Sequence, residues 1–156
     1  MAPRRNHCSV RLSWILSSLW GVAVFALGTS YACADGIQPG LWKIISRVEA
    51  NGAVSPSQQS SKCFTAEQAR DLVTTFSPAP MTINSECGKL ESSLDGNRLK
   101  WRLVCTGQLN MEITGDYTFR DGTQYAGIVR NTASMGGAPM SDSVTTLYAE
   151  RVSDCP

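Results

Sequence analysis

From Gly40 onward strand patterns dominate, with stretches that alternate apolar and polar residues at a period of two, the signature of half-buried strands. The sharpest run is residues 111–119, where Met111, Ile113, Gly115, Tyr117 and Phe119 alternate with Glu112, Thr114, Asp116 and Thr118. Arg120-Asp121-Gly122 then reads as a three-residue hairpin loop with glycine in the left-handed position. That loop predicts pairs of Phe119 with Thr123, Tyr117 with Tyr125, Gly115 with Gly127 and Ile113 with Val129. A second hairpin turns at Asp95-Gly96, with Leu99, Trp101, Leu103 and Cys105 on one face and Arg98, Lys100 and Arg102 on the other. Pairing Leu94 with Leu99 sets Leu90 opposite Leu103, whereas a slip of one residue would set Lys89 and Glu91 against Leu103 and Trp101.

Earlier in the chain, Trp42, Ile44 and Val48 share one side of a strand over Gly40 to Glu49, and Asn51-Gly52 signals a turn. Val54 to Lys62 is polar and suits an edge strand. Thr65 and Gln68 form a capping box that opens one short helix from Ala66 to Phe76, with Ala69, Leu72, Val73 and Phe76 on its apolar side. Pro78 and Pro80 end it. Asn131 to Met140 reads as a flexible loop, and a last strand runs from Ser143 to Val152. The predicted fold class is mainly β: an antiparallel meander of about seven strands forming a curved sheet or partial barrel, with one short helix over an open end or seam.

The first 34 residues change this picture. Arg4, Arg5 and Arg11 precede the uncharged, mostly apolar stretch Leu12 to Leu27, and Ala32-Cys33-Ala34 provides an A-x-A site before Asp35. Residues 1–34 therefore read as a cleaved signal peptide, and residues 35–156 as one disulfide-containing β domain in the periplasm. Uncleaved, the segment would be the protein's sole attachment to a membrane. The other fate, lipoprotein anchoring through Cys33, is disfavoured by Ser30 and Tyr31, which stand where such signals carry an aliphatic and then a small residue. The whole chain has 14 Lys+Arg and 13 Asp+Glu, and removal of three arginines leaves the mature domain at 11 − 13 = −2. That balance excludes a strongly basic nucleic-acid binder.

Cleavage also removes His7, the chain's one histidine, together with Cys8 and Cys33. A mature domain without imidazole cannot run Ser-His or Cys-His catalysis. Cys63, Cys87, Cys105 and Cys155 remain, an even number that predicts two disulfides in an exported domain, and no C-x-x-C spacing points to zinc or thiol redox chemistry. The hairpin at Asp95-Gly96 sets Cys87 and Cys105 on opposite faces, so the preferred pairs are Cys63–Cys87 and Cys105–Cys155. Glu112 and Asp116 lie four apart on a strand, roughly 13 Å, too far for a glycosidase pair. No catalytic residues and no cofactor are expected.

Gly40-Leu41-Trp42, Cys63 before a short capped helix, Cys87, Cys105-Thr106-Gly107, Gly137-Ala138-Pro139-Met140 and the ending Arg151 to Cys155 occur together. In these features the chain resembles the bacterial domain-of-unknown-function family numbered 3617, across essentially the whole mature region. The family pattern commonly has glycine before the final Asp-Cys, where this chain has Ser153. The resemblance implies a small exported domain of Gram-negative bacteria and supplies no activity.

The expected function is non-enzymatic. A curved sheet would hold a small apolar ligand on a face bearing Trp42, Trp101, Gly115, Tyr117, Tyr125 and Gly127, along with Phe119. The glycine notch has two readings, a ligand's point of approach or a gap filled by Trp101, which falls opposite Gly115 if Cys105 pairs near Met111. An alternative is an envelope structural or partner-binding protein that uses the Val54 to Lys62 edge. A weaker one is Cu(I) handling by Met135 and Met140, whose thioethers are soft ligands.

Overall fold

The computed structural model describes residues 36–79 and 85–156. The leader expected over residues 1–34, Cys33 and Pro80 lie outside them. Nine strands and two helices follow in order: β1 (Gly40–Ala50), β2 (Ala53–Val54), β3 (Gln58–Phe64), α1 (Ala66–Arg70), α2 (Leu72–Phe76), β4 (Ser85–Cys87), β5 (Glu91–Asp95), β6 (Arg98–Gly107), β7 (Leu109–Arg120), β8 (Gln124–Met135) and β9 (Ala138–Ser153). All pairs are antiparallel. They form one unclosed curved sheet in the order β2-β1-β9-β8-β7-β6-β4, in which β3 also pairs with β1 and β5 with β6. Each edge position is shared by two short strands, so nine elements fill seven places.

The connectivity departs from a simple meander in one respect. β6 to β9 run up and down as expected, but β9 then pairs along the whole of β1 from Leu41 to Ala50. The first and last long strands thus lie mid-sheet, and the two helices stand between the β3 edge and the β4/β5 edge in chain order. Pairing β1 with β9 satisfies both of their ladders and leaves only the short, polar strands at the rims.

Local chemistry accounts for the elements. Asn51 and Gly52 take φ of 50° and 80°, the mirror-image turn that matches strand twist. The capping box at Thr65 is present: the Gln68 N–H donates to Thr65 Oγ1 at 3.2 Å and the Thr65 N–H to Gln68 Oε1 at 3.0 Å. The expected single helix is two, because Asp71 leaves helical geometry and recaps the chain by accepting from the Thr74 N–H at 3.0 Å. Ala69, Leu72 and Phe76 are buried, as the apolar side predicted.

Besides the helix count, four expectations need correction. Residues 131–140 are no loop: β8 continues to Met135 and β9 begins at Ala138, joined by Gly136-Gly137 at φ of 58° and 83°. A two-residue glycine turn is a tight hairpin, a signal present in the sequence.

The second correction concerns the β7–β8 hairpin, whose register lies two residues from the predicted one. Phe119 pairs with Tyr125, Tyr117 with Gly127, Gly115 with Val129 and Ile113 with Asn131. The turn sits one residue later, with Asp121 (φ 51°) and Gly122 (φ 66°) both left-handed and the Thr123 N–H donating to the Arg120 carbonyl. A shift of two preserves the face of every residue, so the inner set is unchanged.

The third and fourth corrections are the disulfides, which join Cys63 to Cys155 and Cys87 to Cys105. The predicted β5–β6 register is present, with Leu94 opposite Leu99. However, Cys87 pairs directly with Cys105 while Glu91 pairs with Arg102, so residues 88–90 face only Leu103 and Val104. This extra residue is a bulge that flips Cys87 to the face of Cys105. Cys63–Cys87 is thereby excluded, and Cys105–Cys155 is excluded by distance. β6 and β9 are separated by β7 and β8, roughly 14 Å, against the ~7 Å limit for a bridge. Cys63 instead reaches over β1: Leu41 pairs with Cys63 on one side and Ser153 on the other.

Candidate functional site

The inner face has two regions. At one end, Trp42 (0% exposed), Phe64, Phe76, Phe119, Tyr117 and Tyr125 form a closed aromatic cluster under the helices. Phe76 of α2 packs against the inner face of β7 and β8, with ring centroids 5.1 Å from Tyr117, 5.2 Å from Phe119 and 4.9 Å from Tyr125. Trp42 lies 5.5 Å from Tyr125 and donates its indole N–H to the Gln38 carbonyl at 3.1 Å. Gly40 makes this entry workable at φ of 143°, since a Cβ there would stand 2.5 Å from the Ser153 carbonyl oxygen.

Beyond Phe76 the inner face opens into a trough of ≈ 370 Å³. Ile44, Leu147, Val129 and Ile113 from four strands form its floor, and all four are half-buried. Trp101, Tyr117 and Tyr125 stand on one side, and Thr75 to Pro78 overhang the other. Lys62 and Phe64 complete it, and among the described lining residues Lys62 alone is exposed. The Lys62 ammonium sits 4.7 Å from the centroid of the Phe64 ring. Among the described residues, no carboxylate lines this trough. Its volume falls near the lower end of the ~300–1,000 Å³ range of small-molecule pockets.

The sequence-predicted face is therefore only partly the trough wall. Trp101, Tyr117 and Tyr125 line it, while Trp42 and Phe119 belong to the closed core. The glycine notch is occupied. A Cβ on Gly115 would overlap Cε2, Cζ2 and Nε1 of Trp101, the last at 2.5 Å, and Trp101 pairs with Gly115 just as Cys105 pairs with Met111. Gly127 is covered likewise by the Tyr117 ring, whose Cε1 would lie 2.5 Å from an added Cβ. Cross-strand aromatics over strand glycines fill space and pin register. The expected ligand face left out Lys62, Ile44 and Leu147, although strand parity places each of them on the face of Trp42 or Ala149.

Electrostatics separate the two faces. Burial pushes the Tyr117 phenol up to about 12 and raises Tyr125 further, helped by Tyr117 nearby, so both stay neutral donors. Two buried polar atoms on this face, Trp101 Nε1 and Asn131 Oδ1, have no hydrogen-bond partner among the described residues. The outer face is instead laced with ion pairs. Arg98 grips Asp116 through two hydrogen bonds of 2.8 and 2.6 Å, and Arg102 bonds Glu112 at 2.8 Å. These guanidiniums hold both carboxyls below their usual range, which makes Glu112 and Asp116 a solvated strand face. A depression of ≈ 410 Å³ over residues such as Thr106, Asn110, Glu112, Thr132 and Asp142 is larger than the trough. Val104, Cys105, Met111, Ala133 and Pro139 also line it, and unlike the trough it carries two carboxylates, Glu112 and Asp142.

Met135 and Met140 flank the Gly136-Gly137 turn and are 50% and 55% exposed. Among the described residues, no group of three or more His, Cys, Asp or Glu could hold a metal ion, and no helix is long and apolar enough to cross a membrane. No curated protein and no solved structure matches the chain. The family model described as "Protein of unknown function (DUF3617)" matches residues 37–155, nearly all of the sheet and its helices, and the chain belongs to that family.

Proposed function

We propose that this is an exported periplasmic domain, without catalytic activity, that holds a small apolar or amphipathic molecule in the trough on its inner face. The observation that carries the reading is the ≈ 370 Å³ cavity itself: four aliphatic side chains remain half-exposed beside an otherwise closed aromatic core. Leaving such surface wet forfeits about 25 cal/mol per Å² of apolar area. Trp101, which lines the trough, adds to it, since its buried Nε1 has no partner among the described residues and such a group costs about 1–3 kcal/mol. The two disulfides fit an oxidising compartment.

Titration of the full chain with Nile red or dodecanol tests this reading. Saturable binding, abolished by Leu147→Trp or Val129→Trp at unchanged circular dichroism, is expected. Absence of saturable binding by either probe, or binding indifferent to both substitutions, would overturn it.

A second reading has its own observation. β3 pairs only with β1 and is exposed from Gln58 to Cys63, with no charge before Lys62. An edge of that kind can accept a partner strand. Crosslinking from Gln59 in intact cells would then return one reproducible protein.

A further inference from the structure

We infer that the trough selects anionic single-chain amphiphiles, with Lys62 taking the headgroup; this rests on the trough being a binding site. Charge complementarity is the argument. Among the described residues, Lys62 is the only charged one lining the cavity and the only exposed one, so the cation stands at the rim while the apolar floor lies inward. Among the described residues it makes no ion pair, although the outer-face arginines Arg98 and Arg102 are both matched to carboxylates. Pairing with Trp42 on β1 turns Lys62 toward the inner face, and its ammonium lies over the ring of Phe64, which also lines the cavity. An alkyl chain laid along Ile44 and Leu147 would bring a carboxylate at its end within reach of that ammonium. A neutral alcohol would bury the same chain without the ion pair, and a cationic head would be repelled.

The probes are dodecanoate, dodecanol and dodecyltrimethylammonium, competed against Nile red on the full chain at low salt. Dodecanoate should bind most tightly and the ammonium amphiphile most weakly. Lys62→Met should weaken dodecanoate about fivefold, the scale of a partly exposed ion pair, and leave dodecanol unchanged. Lys62→Glu should reverse the order of the two charged probes. Equal affinity for dodecanoate and dodecanol, or a loss in Lys62→Met shared by both, would overturn the headgroup assignment while leaving the cavity a binding site. If none of the three probes binds, the trough is no binding site and both readings fall. Dodecanol binding in each variant shows that the fold is intact.

Discussion

Replacing Gly115 by alanine tests the packing of the inner face through the sign of its effect. In a strand interior, glycine to alanine is normally worth about 0.5–1 kcal/mol of stabilisation, because alanine loses less backbone freedom on folding. Gly115 has no positive φ that would oppose the change. The obstacle is Trp101, three of whose ring atoms lie within overlap distance of the new methyl, the farthest at 2.5 Å. Ordinary carbon contacts are ~3.5–4.0 Å, so the indole must withdraw by about an ångström or more. It is 5% exposed on a strand whose inner neighbours, Leu99 and Leu103, are 0% and 1% exposed, and a ring so enclosed cannot swing aside freely. Overpacking of this kind costs about 1–3 kcal/mol, and complete expulsion of the ring would approach the ~3–5 kcal/mol of deleting a buried tryptophan. The net expectation is a destabilisation of about 2 kcal/mol, read by urea unfolding at constant m. In a double-mutant cycle with Trp101→Leu, the Gly115→Ala cost should largely vanish, since leucine leaves room for the methyl. A Gly115→Ala protein as stable as its parent or more so, with unchanged tryptophan fluorescence, would refute the packing argument.

Two more expectations follow from covalent and ionisable groups. Removing Cys63–Cys155, which spans 92 residues, should cost about 4–5 kcal/mol by loop-closure entropy, against about 3 kcal/mol for Cys87–Cys105 spanning 18; serine pairs compared by urea unfolding would show the order, and equal losses or the reverse order would count against it. Alkaline pH should destabilise the fold: the Tyr117 phenol is held up at about 12 by burial, so the native state keeps a proton that the unfolded chain releases near pH 10. Stability is full below pH 10 and falls as pH rises from there toward 12, by about 2–3 kcal/mol for this group. Tyr117→Phe should flatten that decline in thermal unfolding scanned over pH 9–12, and a variant as alkali-sensitive as its parent would contradict the assignment.

Much of the architecture was legible because it is local. Period-two alternation determined which side of each strand faces inward, and a two-residue error in the β7–β8 register left those sides untouched. The capping box at Thr65 and Gln68 and the Asn51-Gly52 turn are likewise decided within a few residues, by hydrogen bonds and φ that neighbours control. Trp101 over Gly115 was also readable, because it needs only the offset between two adjacent strands. What tertiary structure alone decided is whatever depends on strands distant in sequence. A single bulged residue between Cys87 and Glu91 reversed a face and with it both disulfides, and no local pattern marks where a bulge falls. The pairing of β1 with β9 carried Ile44 and Leu147 to the floor of the trough and set Lys62 at its rim. Alternation states that Ile44 and Leu147 face inward, whereas the polar stretch before Lys62 gives no such sign; which residues the helices then cover, and which stay open to a ligand, follows only from where the connection after β3 lies across the sheet.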